Sequence, residues 1–121
     1  MRILEITDYI TAKTGLTIYP IQFPTELEQA IKVMIIASED EGAGVKNLTI
    51  EVMTKATHPA DAEGLAYKVI EAIGAITDED FLDYQIILLR SLNEPDYEGE
   101  TKAGAYVFSC DFQLLVSKVG E

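Results

Sequence analysis

The sequence predicts an α+β fold, a two-layer sandwich in which two helices pack on one face of a mainly antiparallel sheet. Three observations support this prediction: two segments repeat apolar residues with the helical period, five segments have strand-like apolar patterns, and most connections are too short for a crossover. The predicted element order is α-β-β-β-α-β-β. Because no linker or internal repeat divides the 121 residues, we expect a single domain over residues 1–121.

The first helix is predicted over residues 2–14. Its apolar stripe consists of Ile3, Ile6 and Ile10. Gly15 follows where a helix commonly ends, because glycine adopts the left-handed backbone conformation without a steric penalty. The next segment, 16–23, is β-prone but contains Pro20, which cannot donate to a sheet ladder. We therefore predict an edge strand or a strand that ends early, followed by a loop.

A hairpin is predicted from residue 30 to residue 55. Residues 30–38 are apolar on both alternating sets of positions, as in a strand buried on both faces. Residues 39–44, a run of acids and glycines, are predicted to form the turn. Residues 47–55 alternate apolar and polar side chains, which indicates a strand with one solvated face.

The clearest helical pattern follows His58. Apolar residues recur at the spacings of one helical face, at Ala62, Leu65, Ala66, Val69, Ile70 and Ile73. Pro59 fits the first turn, where its missing N–H costs no helical hydrogen bond, and Gly74 stands at the expected C-terminal cap. The second helix is therefore predicted to end at Ile73.

Two further strands are predicted to complete the sheet. Residues 84–92 have the pattern of a largely buried strand, residues 93–104 are rich in turn formers, and residues 106–117 have one apolar face. That face consists of Tyr106, Phe108, Cys110, Phe112, Leu114 and Val116. We expect Leu65, Val69 and Ile73 of the second helix to pack on the sheet face that contains Phe108, Phe112 and Leu114.

The composition excludes several classes of partner. Nine Lys and Arg against 21 Asp and Glu give a formal net charge of −12, which repels phosphate and argues against specific nucleic-acid binding. No segment approaches the roughly 18 consecutive apolar residues of a membrane span, so we expect no membrane partner and no signal peptide. The single cysteine cannot form an internal disulfide, which fits a reducing compartment.

No residues have the spacing of a catalytic, cofactor or metal site. His58, the only histidine, precedes a helix and is expected to cap it. Cys110 lies on an apolar strand face, where burial raises the pKa of the thiol above that of a nucleophile. The acidic segments 39–41, 78–83 and 94–100 fall in predicted turns and lack the spacing of a calcium loop. We predict no catalytic residue, cofactor or metal ion, and no enzymatic activity.

Two stretches of the sequence carry a family resemblance. One is the strand 47–55 leading into Pro59–Ala66, and the other is the closing stretch Gly104–Phe112. In these stretches and in its layout, the chain resembles the tail terminator and minor capsid proteins of long-tailed bacteriophages, including those of prophages. The resemblance implies a non-enzymatic structural protein that forms a ring, commonly a hexamer. Such a ring caps the head-proximal end of the tail tube and supports head–tail joining.

The resemblance also implies the partners and the location. The partners are other copies of the chain, the tail tube protein and a head-completion protein, and DNA passes through the ring without specific binding. The protein is expected in the bacterial host cytoplasm during assembly and afterwards in the virion, at the head-proximal end of the tail. The alternative is a small cytoplasmic α+β ligand-binding or enzymatic module with its pocket between sheet and helices.

Loops and strand edges are expected to make the subunit or tail-tube contacts, because the sheet and helix faces are needed for the core. The first candidate is the acidic hairpin from Asn93 to Lys102, at Pro95, Asp96 and Tyr97. The second candidate is the predicted edge strand, at Tyr19 and Phe23. The alternative reading of the hairpin is an ordinary solvated turn.

Overall fold

The structure is a computed structural model that describes residues 1–119. Its elements in chain order are α1 (Ile3–Thr14), β1 (Ile18–Pro20), β2 (Ala30–Gly42), β3 (Val45–Ala56), α2 (Pro59–Ile73), β4 (Ala75–Phe81), β5 (Tyr84–Ser91), β6 (Asp96–Glu100) and β7 (Tyr106–Lys118). The strands form one sheet in the order β1-β2-β3-β7-β5-β4, and β6 pairs with the first part of β7. All of these pairs are antiparallel except β1–β2. The predicted α+β class is confirmed.

The structure adds two strands to the five that the sequence predicts. β4 follows α2 directly and pairs with β5, so the acids in it lie in an edge strand and not in a turn. β6 lies within the segment predicted to be turn-rich and pairs with β7. Both strands have acids where a strand pattern requires apolar residues, because neither is buried on both faces. β4 and β6 are strands because they pair with β5 and β7, and not because of their own composition.

The hairpin of β2 and β3 is longer than predicted. β2 continues to Gly42, which pairs with Val45, so residues 39–41 lie in a strand and the turn consists of Ala43 and Gly44. Within residues 1–119, no strand pairs with the outer side of β2 beyond Val33, and residues 36–42 are exposed. We call this segment, residues 36–42, the free edge of β2.

Both helices contribute to one core on one face of the sheet. α1 buries Ile6, Tyr9 and Ile10, and α2 buries Leu65, Val69 and Ile73. These side chains share a cluster with sheet residues that include Val33, Ile50, Val52, Phe112 and Leu114. The expected packing of α2 on Phe112 and Leu114 is confirmed. Phe108 lies in a smaller cluster with Ala56 and Ala62, below the first turn of α2.

The opposite face of the sheet is covered by neither helix. In β3 and β7 the odd-numbered side chains point to this face, because the even-numbered ones are in the core. The open face includes Glu51 and Asp111, which are direct cross-strand neighbours. The sheet therefore has one face outside the helix-covered core, as the alternating pattern of residues 47–55 predicts.

Candidate functional site

The two reactive side chains of the sequence have structural positions. His58 is exposed before α2, and its Nδ1 accepts a hydrogen bond from the Ala60 N–H at 3.2 Å, as expected of a cap. Cys110 is 1% exposed, and burial, with smaller effects of Asp111 and Glu51, raises the pKa of its thiol to about 12. Within residues 1–119, no group of three or more acidic, histidine or cysteine side chains is arranged to hold a metal ion. In the same range, neither helix is long and apolar enough to cross a membrane.

One row of paired residues connects the two segments selected from the sequence. Tyr19 pairs with Lys32, Lys32 with Met53, Met53 with Ser109, and Ser109 with Asp96. The row crosses the sheet from β1 to β6, which is about 19 Å along the sheet at four strand spacings of about 4.8 Å. The two candidate segments therefore lie at the same height along the strands, at opposite edges of the sheet.

A cationic aromatic surface lies at the β1 side of this row. Phe23, in the loop after β1, is half-buried, and the ammonium groups of Lys32 and Lys55 lie 4.8 Å and 5.4 Å from its ring centre. Lys55 is 7% exposed, and its Nζ donates a hydrogen bond to the Pro24 carbonyl at 3.0 Å. We call Phe23, Lys32 and Lys55 the Phe23 platform. Tyr19 lies beside it in β1 and is half-buried.

An acidic aromatic surface lies at the other side of the row. Asp96 and Tyr97 are exposed in β6, and Pro95 is half-buried just before this strand. The Tyr97 ring is 54% exposed and is held 5.5 Å from the Phe108 ring. We call residues 94–100 the acidic segment.

The sequence pattern points to Phe23 but not to the two lysines around it. Lys32 is the only charged residue of the apolar stretch 30–38, and an isolated charge in such a strand was the available signal. Lys32 and Lys55 belong to β2 and β3, the two strands of the hairpin. The register of these strands brings both ammonium groups close to the Phe23 ring.

The open face also contains a pair of like charges. Glu51 and Asp111 are directly opposite in β3 and β7. Partial burial, and then the negative charges of Asp111 and Glu98, raise the pKa of Glu51, while the positive charge of Lys32 opposes them. Like charges at opposed strand positions are destabilising.

We expect Glu51→Gln to stabilise the fold at neutral pH by roughly 0.2–1 kcal/mol, the range of a cross-strand pair. Because the pKa of Glu51 is raised on folding, its ionised form costs stability above the folded pKa, and the cost disappears below the unfolded value of 4.5. Urea unfolding at pH 7 and near pH 3.5 measures both states. Glu71→Gln, at an exposed position of α2, is the matched control. A gain of equal size at both pH values would contradict the assignment.

Comparison with known proteins identifies the family. A family model described as bacteriophage tail terminator protein matches residues 6–118, nearly the whole chain. The chain belongs to this tail terminator family. The resemblance inferred from the sequence is thereby confirmed, and the protein is a phage structural protein. No curated protein sequence matches the chain.

A solved structure is similar to this tail terminator fold. It is a chain from the virion of a native gene transfer agent particle, with a TM-score of 0.61 and 20% sequence identity. The match covers 95% of each chain. At this identity, the likeness shows that the two chains share a fold over nearly their whole length.

Proposed function

We propose that the protein forms a closed ring of six copies at the head-proximal end of the tail tube. The ring stops polymerisation of the tube and presents a surface for head attachment, without catalysis. Its partners are other copies of itself, the tail tube protein and a head-completion protein. It assembles in the bacterial host cytoplasm and becomes part of the virion. Membership of the tail terminator family is the observation that carries this proposal.

The arrangement of the two surfaces supports a ring. A closed ring requires head-to-tail contacts, in which one patch of a subunit meets a different patch of its neighbour. Tyr19 and Phe23 lie at one side of the sheet, and Pro95, Asp96 and Tyr97 lie at the other. Because Tyr19 and Asp96, one residue of each patch, lie on the same cross-strand row, rotation about an axis along the strands brings the two patches together.

The mass of the purified protein tests the proposal. Light scattering over a range of concentrations, with and without purified tail tubes, is expected to show association, and electron micrographs are expected to show rings and capped tube ends. A strict monomer under every condition, with tubes both absent and present, overturns the ring. Rings that leave tube growth unchanged overturn the terminator role.

Ionic strength is expected to favour assembly. Each copy has a formal charge of −12, so six copies bring together a charge of about −72. Raising the salt concentration shortens the Debye length from about 10 Å at 0.1 M to about 3 Å at 1 M and weakens this repulsion. The measurement is the concentration at half-assembly in low and high salt. Weaker assembly in high salt would contradict the prediction.

The same negative charge would let DNA pass through the ring without adhering to its wall.

A further inference from the structure

Within residues 1–119, neither lysine of the Phe23 platform forms an ion pair with a carboxylate, although the positive charge of Lys32 acts on Glu51. Among the described residues, the ion pairs are Lys13–Glu79 and Lys46–Asp40, and neither includes Lys32 or Lys55. Lys55 is almost fully buried, with one hydrogen bond to a carbonyl for its three donors. Burying an ammonium group without a counter-charge is costly, and buried charges are normally paired. The two ammonium groups of the platform are therefore outside the ion pairs of residues 1–119 and can pair with an external carboxylate.

The acidic segment contains a carboxylate that is suited to this role. Asp96 is exposed, and its carboxylate makes no hydrogen bond or ion pair with any other residue in the range 1–119. Glu98, by contrast, accepts a hydrogen bond from Ser109 Oγ at 2.5 Å. Asp96 and Lys32 belong to the same cross-strand row and to the same open face of the sheet.

We propose that Asp96 of one copy pairs with Lys32 on the Phe23 platform of the next copy in the ring. This inference rests on the proposed ring and specifies which of its surfaces meet. The common row places the carboxylate and the ammonium at the same height, and the positive field of Lys55 adds to the attraction. Charge complementarity makes the contact directional, because two acidic segments repel each other and so do two platforms.

A charge exchange tests the pairing. Lys32→Glu and Asp96→Lys are each expected to raise the concentration at half-assembly about tenfold or more, and the double variant is expected to return to within about threefold of the wild type. All proteins are compared at one ionic strength, so that screening of the long-range repulsion is constant. Light scattering gives the assembled fraction.

The Asp96→Lys variant separates local pairing from net charge. It changes the formal charge from −12 to about −10, so long-range repulsion alone would strengthen assembly, whereas the proposed pairing weakens it. Asp8→Lys and Lys68→Glu, at exposed positions of α1 and α2, are the matched controls for the two charge changes. Lys32→Ala replaces Lys32→Glu if thermal unfolding shows that the latter is not folded.

The outcomes distinguish the pairing from the ring. If the wild type forms rings and Asp96→Lys assembles as well as Asp8→Lys, the pairing is overturned and the ring stands. If the double variant is no better than the worse single variant, the pairing is also overturned. If the wild type remains monomeric with and without tail tubes, the ring is overturned, and the pairing with it.

Discussion

Replacing Phe112 with alanine is expected to lower the free energy of unfolding by about 3–5 kcal/mol. Phe112 is 0% exposed in the middle of β7, where it pairs with Ile50 on one side and Ser91 on the other. The strands on both sides are held by their own pairing and cannot collapse into the cavity left by the phenyl group. Domains of this size are stable by about 5–15 kcal/mol, so the loss is a large fraction of the total.

Urea unfolding of the purified variant measures this loss. Leu82→Ala is the matched control, because Leu82 is 70% exposed in the turn between β4 and β5. Its truncation is expected to change the free energy of unfolding by less than about 0.5 kcal/mol. Equal losses in the two variants would show that Phe112 is not part of the core that joins helices and sheet.

Replacing Tyr97 with alanine is expected to weaken ring assembly by about 30-fold, the effect of losing an interface residue worth about 2 kcal/mol. Tyr97 is 54% exposed, yet contacts with Tyr106 and Phe108 hold its ring in place. An aromatic side chain that is ordered before binding loses little conformational entropy when it is buried by a partner. Such side chains often dominate interfaces.

The concentration at half-assembly measures the effect of Tyr97→Ala. Tyr67→Ala is the control, since Tyr67 is a 38% exposed tyrosine on α2, away from the cross-strand row. Both variants are expected to unfold at temperatures close to that of the wild type. If Tyr97→Ala assembles at the same concentrations as the wild type, the acidic segment is not part of the subunit contact.

The elements with strong periodicity could be predicted from the sequence almost to the residue. The sequence predicts the first helix over residues 2–14, and the helix spans Ile3–Thr14. The second helix ends at Ile73, before Gly74, as predicted. In these helices, the apolar stripe faces the core and the end signals are local, so the sequence itself contains the information.

The strands that were not predicted depend on their neighbours. β4 contains the acids Asp78, Glu79 and Asp80, and β6 contains Asp96 and Gly99, so neither has a clear strand pattern. Each becomes a strand because it pairs with a longer strand beside it. Strand propensity depends strongly on such context.

The candidate surfaces could be predicted only in part. Aromatic residues near prolines and outside the periodic segments, such as Tyr97 and Phe23, can be selected from the sequence as surface candidates. The surroundings of Phe23 are not visible, because the lysines belong to different strands and meet below the loop only when the β2–β3 register is known. Register is a property of the folded sheet and is specified over many residues.

The free edge of β2 has a consequence for the protein in concentrated solution. A strand with unpaired backbone groups is a template for intermolecular β-aggregation, and natural proteins block such templates with charges and bulges. Here the exposed strand contains Glu39, Asp40 and Glu41, and the register is shifted at two places along it. Identical copies that stack in register along this strand would place three carboxylates against three others. The repulsion between these carboxylates opposes the in-register stacking from which fibrils grow.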